Sequence, residues 1–355
     1  MDENGFNYEE HLVTTSDGYI LTMFRINGLK SGGIAPKGKK VVYFQHGILD
    51  SADCWIAHKS EVAPAFQVAR AGYDVWLGNS RGNKYSKGHQ GSISNYDRWN
   101  YDFEEMGDLD ITTEIDYALK VSGEKKLAYI GHSQGTTQMY YGLSHNEAFY
   151  ESRVSVFIAL GPVMQLTHCK SSLIHFVATF ESLLVDTCSL LGIYEFFPAN
   201  WVTTGAMRLL CGSIPQLCNF GLYLITDEDP ALNDAGRTPV YLGHFPSGTS
   251  LRSLNHYGQI LNAKKFQRMD FGSSKNKQLY NQATPPVIDL QNIKSVPIGM
   301  FVGTSDQLAT VDDNQWAKTQ LTQVLKHYKE YPLGHLSFMI AKDMSYFKDV
   351  FTMLN

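Results

Sequence analysis

This chain of 355 residues has little excess charge of either sign, few cysteines and no long uninterrupted apolar run. Its 30 Lys and Arg against 35 Asp and Glu give a formal net charge of -5, which provides no electrostatic reason to expect nucleic-acid binding. The most apolar stretch, residues 173–197, is interrupted by charged side chains and is not typical of a membrane span. With 43% hydrophobic and 18% charged residues, the composition indicates a folded globular protein.

The five cysteines show no metal-ligand spacing, and their odd number leaves at least one thiol free. We therefore expect no structural metal. Only Cys211 and Cys218 are candidates for a disulfide. Gly212 and Pro215 would interrupt a helix between them, so the sequence leaves a disulfide between these cysteines possible. We nevertheless favour reduced, buried thiols.

The N-terminal segment MDENGFNYEE has neither the basic start nor the apolar core of a signal peptide. The chain also contains no Asn-X-Ser/Thr acceptor for N-glycosylation. These absences favour an intracellular protein or a mature form from which a leader was removed.

Short β-type runs alternate with helical patterns along most of the chain. Two runs separated by the turn residues 16–18 predict a hairpin, and six later segments predict strands: KVVYFQHG, YDVWLGN, KLAYIGHS, VSVFIALGP, SVPIGMFVGTSD and LKHYKEYP. Helices are predicted over 61–71 and 103–121, from 134, near 312–325 and at the C-terminus. This alternation predicts an α/β fold with a mostly parallel sheet and helices on both faces.

Residues 163–285 break the alternation and predict an inserted helical cap between two core segments, 1–162 and 286–355. The cap begins with apolar side chains at helical spacing: Leu173, Phe176, Val177, Phe180, Leu183 and Leu184. This stripe either packs internally or lines an apolar pocket. Because a soluble protein rarely exposes so much apolar surface, we expect the stripe to lie over the cleft above the sheet.

Ser133 stands between Gly131 and Gly135, where a predicted strand ends and a helix begins. In that setting G-x-S-x-G is typical of a nucleophile elbow, whose glycines relieve crowding so that the hydroxyl projects above the sheet. Such a serine requires an acid and then a histidine later in the chain. Asp306 ends one late strand and His335 follows the last, so we predict Ser133 as nucleophile, Asp306 as acid and His335 as base.

Other residues compete for these roles. Asp312 and Asp313 are typical of a helix start, and His327 falls inside a strand pattern. His132 adjoins the nucleophile, but its side chain is expected to point away from the cleft.

The segment FQHGILDSADCW has His46 and Gly47 at the end of a strand, a pattern typical of an oxyanion loop. In that arrangement the backbone amides of Ile48 and Gln134 would face the developing oxyanion. We interpret His46 as a residue that orders its own loop.

Five segments together resemble the acid lipase family of α/β-hydrolases, which includes gastric and lysosomal acid lipases: FQHGILDSADCW, AGYDVWLGNSRGNKYS, YDFEEMGDLD, YIGHSQGTTQ and PVYLGHFPSGTS. The resemblance runs from about Phe6 to the C-terminus. It implies an α/β-hydrolase fold with a cap and lid, and hydrolysis of triacylglycerols, steryl esters or related lipid esters. It assigns the same roles to Ser133, Asp306, His335 and the two amides.

The resemblance further implies that no cofactor or metal is needed and that the partner is a lipid ester, with transient contact to a lipid droplet or membrane surface. Family members are secreted or lysosomal. The oligomeric state is not indicated. Three other interpretations stay open: a soluble short-chain carboxylesterase, an acyltransferase with the same triad, or a catalytically idle lipid-binding or structural subunit.

Overall fold

The computed structural model describes residues 1–32, 38–198, 205, 209–210 and 212–355. In this part of the chain the strands are β1 Phe6–Thr14, β2 Tyr19–Leu29, β3 Val41–Gln45, β4 Asp74–Leu77, β5 Gly88–His89, β6 Leu127–His132, β7 Val154–Leu160, β8 Glu195–Phe196, β9 Thr249–Ser250, β10 Ile298–Gly303 and β11 Leu325–Tyr331.

The described α-helices are Pro64–Arg70, Asn95–Arg98, Phe103–Glu105, Ile111–Ser122, Gln134–His145, Glu147–Arg153, Ser172–Thr179, Glu181–Leu190, Pro215–Ile225, Thr238–Leu242, Leu251–Ala263, Ser273–Tyr280, Val311–Gln320, Ser337–Ile340 and Phe347–Leu354. Single 3-10 turns occur at Asp2–Asn4, Ala52–Ile56, Pro230–Leu232 and Leu290–Asn292.

All described strands except β8 and β9 form one sheet in the order β1-β2-β4-β3-β6-β7-β10-β11, with β5 paired to β2. β1 and β2 form the predicted antiparallel hairpin. β2 also pairs antiparallel with β4, whereas every neighbouring pair from β4 to β11 is parallel. The prediction of a mostly parallel sheet is confirmed.

The central strands are buried on both faces, because helices cover the sheet on each side. Every residue of β3, β4, β6 and β10 is buried. Successive side chains alternate between two hydrophobic clusters: Tyr43 and Tyr129 belong to one, Phe44 and Ile130 to the other. This double-sided packing fixes the carboxyl ends of the strands, from which the candidate site residues project.

The segment predicted as one helix over 103–121 contains a π-helical stretch at Met106–Asp110. A Cβ on Gly107 would lie 2.8 Å from the ring of Tyr141, so this stretch packs tightly against the helix that follows Ser133. The spacing of apolar residues in the sequence does not reveal the π-helical turn, because that turn shifts the helical repeat by only one residue.

Residues 163–285, predicted as an inserted cap, contribute no strand to the main sheet in their described part. The two short strands there, β8 and β9, pair with each other, and the remainder consists of helices and loops. The boundaries of the cap at 163 and 285 stay a prediction.

The predicted apolar stripe lies on two helices that point in different directions. The segments Ser172–Thr179 and Leu183–Leu190 are bent by 76° relative to each other. Val177 is buried, but Phe176 is 52% and Leu183 is 62% exposed. The expectation that the stripe lies over the cleft is therefore wrong for part of it, because Phe176 in the first helix and Leu183 in the second both face solvent.

No single helix in the described ranges is long and apolar enough to cross a bilayer, and the bent pair meets that criterion only when both helices are taken together. Cys54, Cys169 and Cys188 are free thiols. Whether Cys211 and Cys218 are bonded or reduced lies outside what the structure describes.

Candidate active site

Ser133 occupies a strained turn between β6 and the helix Gln134–His145. Its φ of 53° and ψ of -122° lie outside the usual regions for a residue with a side chain. The amide of Ser133 donates to Leu160 O at 3.2 Å, and the amide of Thr136 donates to Ser133 O at 2.8 Å. These bonds hold the turn that the G-x-S-x-G pattern predicts.

The two glycines that flank Ser133 permit close backbone contacts. A Cβ on Gly135 would lie 2.4 Å from Gln45 O, and one on Gly131 would lie 2.8 Å from Gly135 O. The end of β3 therefore approaches the first turn of the helix more closely than any side chain would allow. A Cβ on Gly47 would lie 2.9 Å from Ser133 Cβ, so the loop after β3 lies directly beside the nucleophile candidate.

Asp306 and His335 form a buried pair at the ends of β10 and β11. His335 Nδ1 donates to Asp306 Oδ2 at 2.7 Å, while Asp306 Oδ1 accepts the amides of Leu308 and Ala309, each at 2.8 Å. Burial lowers the pKa of His335, but the Asp306 carboxylate outweighs it, so the pKa is raised overall. A Cβ on Gly161 would lie 3.3 Å from both paired atoms, so glycine leaves room for the pair.

Ser133 and His335 line the same cavity, whose empty space of about 710 Å³ includes solvent at its open side. His335 Nε2 is buried and has no hydrogen-bond partner in the described part of the chain. That nitrogen is therefore free to accept a proton. Bonds between a nucleophile and its base often tighten only when substrate is bound.

The cavity is mostly apolar. Its lining combines Ser133 and His335 with cap and loop side chains that include Val163, Leu166, Leu173, Ile174, Ile225, Leu254 and Leu308. A cavity lined by few polar groups suits an apolar organic chain attached to one reactive centre.

His46 orders the loop that follows β3. Its Nδ1 donates to Gly47 O at 2.7 Å, and its Nε2 accepts the Ser80 amide and Asn83 Nδ2, each at 3.1 Å. Burial lowers its pKa to about 4, which keeps the ring neutral and able to accept on Nε2. These contacts agree with the interpretation from sequence.

The cap also holds this loop. Leu49 has a φ of 61°, its carbonyl accepts the Ser247 amide at 2.6 Å, and Asp50 accepts the Tyr241 hydroxyl. Ile48 lines the cavity. The roles of the Ile48 and Gln134 amides stay a prediction.

His132 does not point away from the cleft, so that expectation is wrong. Its ring lines the cavity, its Nε2 bonds to His335 O at 2.9 Å, and its centroid lies 4.8 Å from that of His335. His132 still follows the alternation of β6, because it pairs with Leu160 and its ring contacts Phe338 on the face of Ile130. The loop that carries His335 covers that face and brings the ring to the cavity.

The competing acids and histidine have structural roles. Asp313 bonds to His168 Nδ1 at 3.0 Å, and Asp312 lies in the first turn of the helix Val311–Gln320. His327 stacks on Phe301 with ring centroids 4.7 Å apart.

A second group, Asp102, Glu104 and His256, has ligand atoms close enough together to hold a metal ion. However, Arg252 bonds to Asp102 at 2.8 Å and Arg268 bonds to Glu104 at 2.6 Å. These arginines already neutralise both carboxylates, so we interpret the group as a buried ion-pair network that joins the cap to the core.

Sequence reasoning missed Asp227, a buried cap residue that bonds to the loop carrying His335. Three acids follow one another at 227–229, and nothing in their local pattern separates the buried one from its exposed neighbours.

Comparisons with known proteins agree on the family. One family model, a partial α/β-hydrolase lipase region, matches residues 1–59, and another, the α/β hydrolase fold, matches residues 40–341. The chain is 36% identical to gastric triacylglycerol lipase of Bos taurus, covering 96% of this chain and 85% of that protein. It is 35% identical to lysosomal acid lipase/cholesteryl ester hydrolase of Homo sapiens, again covering 96% of this chain and 85% of that protein.

Among solved structures, the thioesterase domain from the curacin biosynthetic pathway is similar with a TM-score of 0.54 and 16% identity, covering 98% of this chain and 100% of that chain. This similarity shows the shared fold alone.

We expect Gly135→Ala to lower the free energy of unfolding by about 1 to 3 kcal/mol, because the new methyl group would clash with a backbone carbonyl rather than a flexible side chain. Gly221→Ala is the control, since a Cβ there meets no atom within 4 Å and alanine favours its helix. Urea denaturation followed by circular dichroism measures both variants. Equal effects would show that the close contact is not what glycine provides at 135.

We expect Asp306→Asn to lower the pKa of His335, because the carboxylate that stabilises the charged imidazolium is lost. An NMR titration of labelled histidine measures this pKa. The control is Asp312→Asn, which removes an exposed carboxylate nearby. If only the control lowers the pKa of His335, the acid role belongs to the helix and not to Asp306.

Proposed function

Since the chain belongs to the acid lipase family of α/β-hydrolases and is therefore a carboxylic ester hydrolase, we propose that it cleaves lipid esters through Ser133, His335 and Asp306. The observation that carries this proposal is the 2.7 Å bond between Asp306 and His335 beside the cavity that Ser133 and His335 line together.

In the first half of the reaction, Ser133 Oγ bonds to the ester carbonyl carbon while its proton passes to His335 Nε2. The bond between the acyl carbon and the alcohol oxygen then breaks, and His335 gives the proton to that oxygen. The alcohol leaves and the acyl group stays on Ser133.

In the second half, His335 takes a proton from water, and the water oxygen bonds to the acyl carbon. The bond to Ser133 Oγ breaks, the serine recovers its proton from His335, and the carboxylic acid leaves. Asp306 stabilises the imidazolium in both halves, because its carboxylate lies on the opposite ring nitrogen.

The negative charge on the carbonyl oxygen needs donors in the transition state. We assign them to the amides of Ile48 and Gln134, supported by the contact of Gly47 with Ser133 and by the helix that begins at Gln134. Loss of one such donor typically costs about 3 to 4 kcal/mol of transition-state stabilisation.

The substrate class follows from the cavity, whose apolar lining suits an acyl chain. Two relatives indicate which substrates to test. One is named gastric triacylglycerol lipase, in Bos taurus, and the other lysosomal acid lipase/cholesteryl ester hydrolase, in Homo sapiens, so we propose triacylglycerols and steryl esters.

We further propose that the outer surface of the cap makes transient contact with a lipid droplet or membrane. Large apolar side chains are exposed along its first two helices and the segment after them: Phe176, Phe180, Leu183, Leu190, Leu191, Ile193 and Phe197. Single exposed apolar residues are ordinary, but a group of them in one segment is typical of an interaction surface. Partial insertion into lipid would bring the cavity close to water-insoluble esters.

Ser133→Ala is expected to abolish ester hydrolysis and leave the fold intact, because the hydroxyl forms the covalent intermediate. A fluorophosphonate probe, followed by peptide mass spectrometry, should label Ser133 in the unaltered protein. Labelling of a different serine in active protein would contradict the assignment.

Leu183→Ser combined with Leu190→Ser is expected to reduce hydrolysis of emulsified long-chain esters while sparing a dissolved p-nitrophenyl butyrate. Both side chains are largely exposed, so the change removes contact with lipid and little internal packing. The control is Leu12→Ser combined with Val287→Ser, which removes exposed apolar side chains outside the cap.

Rates on emulsion and on dissolved ester are measured for both double variants. An unaltered emulsion rate in the cap variant would argue against contact through this surface, and equal losses on both substrates would indicate damage to the site instead. If the unaltered protein shows no preference for emulsified esters, a soluble carboxylesterase becomes the better description.

A further inference from the structure

A second buried carboxylate, Asp227, lies beside the triad and has no part in the chemistry above. It follows the cap helix Pro215–Ile225 and is fully buried. Its Oδ1 accepts the amide of Leu336 at 3.1 Å, and its Oδ2 accepts Asn233 Nδ2 at 3.0 Å. The carboxylate therefore holds the backbone directly after His335.

The loop that carries His335 has a shape that admits this carboxylate. A Cβ on Gly334 would lie 2.5 Å from Asp227 Oδ1, so the approach requires glycine at that position. Asn233 extends the contact, because its Oδ1 accepts the hydroxyl of Ser337 at 2.8 Å. Asp227 and Asn233 thus hold the two residues that directly follow the catalytic histidine.

The same stretch of cap also holds the acid loop. The amide of Glu228 donates to Ser305 O at 2.8 Å, and the amide of Gln307 donates to Thr226 O at 3.0 Å. These two bonds lie on either side of Asp306. One segment of cap backbone is therefore bonded to the acid loop and, through its carboxylate, to the histidine loop.

We propose that Asp227 is a positioning residue for ester hydrolysis, which fixes His335 relative to Asp306 and makes the geometry of the base depend on the seating of the cap. The inference rests on the proposed function. The neighbouring residue Glu228 has an exposed side chain that pairs with Lys170, and among the described residues it makes none of these contacts with the histidine loop.

The charge of Asp227 also acts on His335. Burial lowers the pKa of His335, whereas the carboxylates of Asp306 and then Asp227 raise it. Burial raises the pKa of Asp227 to about 6. His132, a further titratable residue whose ring lies against that of His335, contributes no positive charge, because burial lowers its pKa well below the usual range.

The sign of the pH effect follows from these contacts. A negative charge at 227 stabilises the imidazolium, so its removal lowers the pKa of His335. Because the base must be neutral to accept the serine proton, the acid limb of kcat/KM then moves to lower pH.

The test compares Asp227→Asn and Asp227→Ala with the control Glu228→Gln, which removes a neighbouring but exposed carboxylate. Asparagine keeps the size of the side chain. Its bonds re-form if the Asn233 amide flips, because the Ser337 hydroxyl can accept as well as donate.

With a dissolved p-nitrophenyl ester as substrate, we expect Asp227→Asn to shift the acid limb to lower pH. We expect Asp227→Ala to lower kcat by about 10- to 100-fold with little change in KM, as misplacement of a catalytic group does. Glu228→Gln should retain the unaltered pH profile and kcat.

An unchanged kcat in a folded Asp227→Ala variant overturns the inference. If that variant does not fold, an unshifted acid limb in Asp227→Asn overturns it. A lowered Tm in Asp227→Asn without a shifted limb also overturns it, because that result describes a purely structural residue. Failure of the proposed function is distinguishable, since the unaltered protein would then hydrolyse no ester and a fluorophosphonate would not label Ser133.

Discussion

The site depends on the positive φ of Ser133 at the end of β6. A serine holds that conformation only where surrounding contacts leave no alternative. The contacts here are backbone groups at the end of β3, which approach Gly135 too closely for any side chain. Because the neighbouring strands are parallel, their carboxyl ends meet at this same edge of the sheet and bring Asp306 and His335 to the serine.

The cap completes the site as well as covering it. Each of the three loops around Ser133 accepts or donates hydrogen bonds with the cap: Leu49 with Ser247 in the loop after β3, Gln307 with Thr226 in the acid loop, and Leu336 with Asp227 in the histidine loop. A buried ion-pair network adds further contacts between cap and core. The part of the cap near residues 226–250 therefore supports the loops of the site. The exposed apolar side chains lie elsewhere, on the first helices of the cap.

The sheet could be predicted because it depends on local signals, and the candidate triad was chosen from the same signals. Ser133 and Asp306 each follow a strand with a clear hydrophobic pattern, and His335 follows the more polar last strand of the sheet. The rule for parallel sheets brings those strand ends together. Two expectations were wrong for physical reasons: both helices of the apolar stripe expose some of its side chains, and the loop that carries His335 covers the sheet face on which His132 lies. Asp227 escaped detection because it bonds to a backbone amide 109 residues away, and such a contact leaves no pattern in the neighbouring sequence.

The ion pairs between cap and core have a consequence for biosynthesis. Asp102 precedes its partner Arg252 by 150 positions, and Glu104 precedes Arg268 by 164. On the ribosome these carboxylates stay hydrated until the arginines emerge, because burying an unpaired charge is costly. Ser133, the proposed nucleophile, is thus translated early, and His335, the proposed base, follows only after the cap and the last strands. If these roles hold, a nascent chain carries Ser133 without any means of activating it, and hydrolysis begins only once His335 has joined the fold.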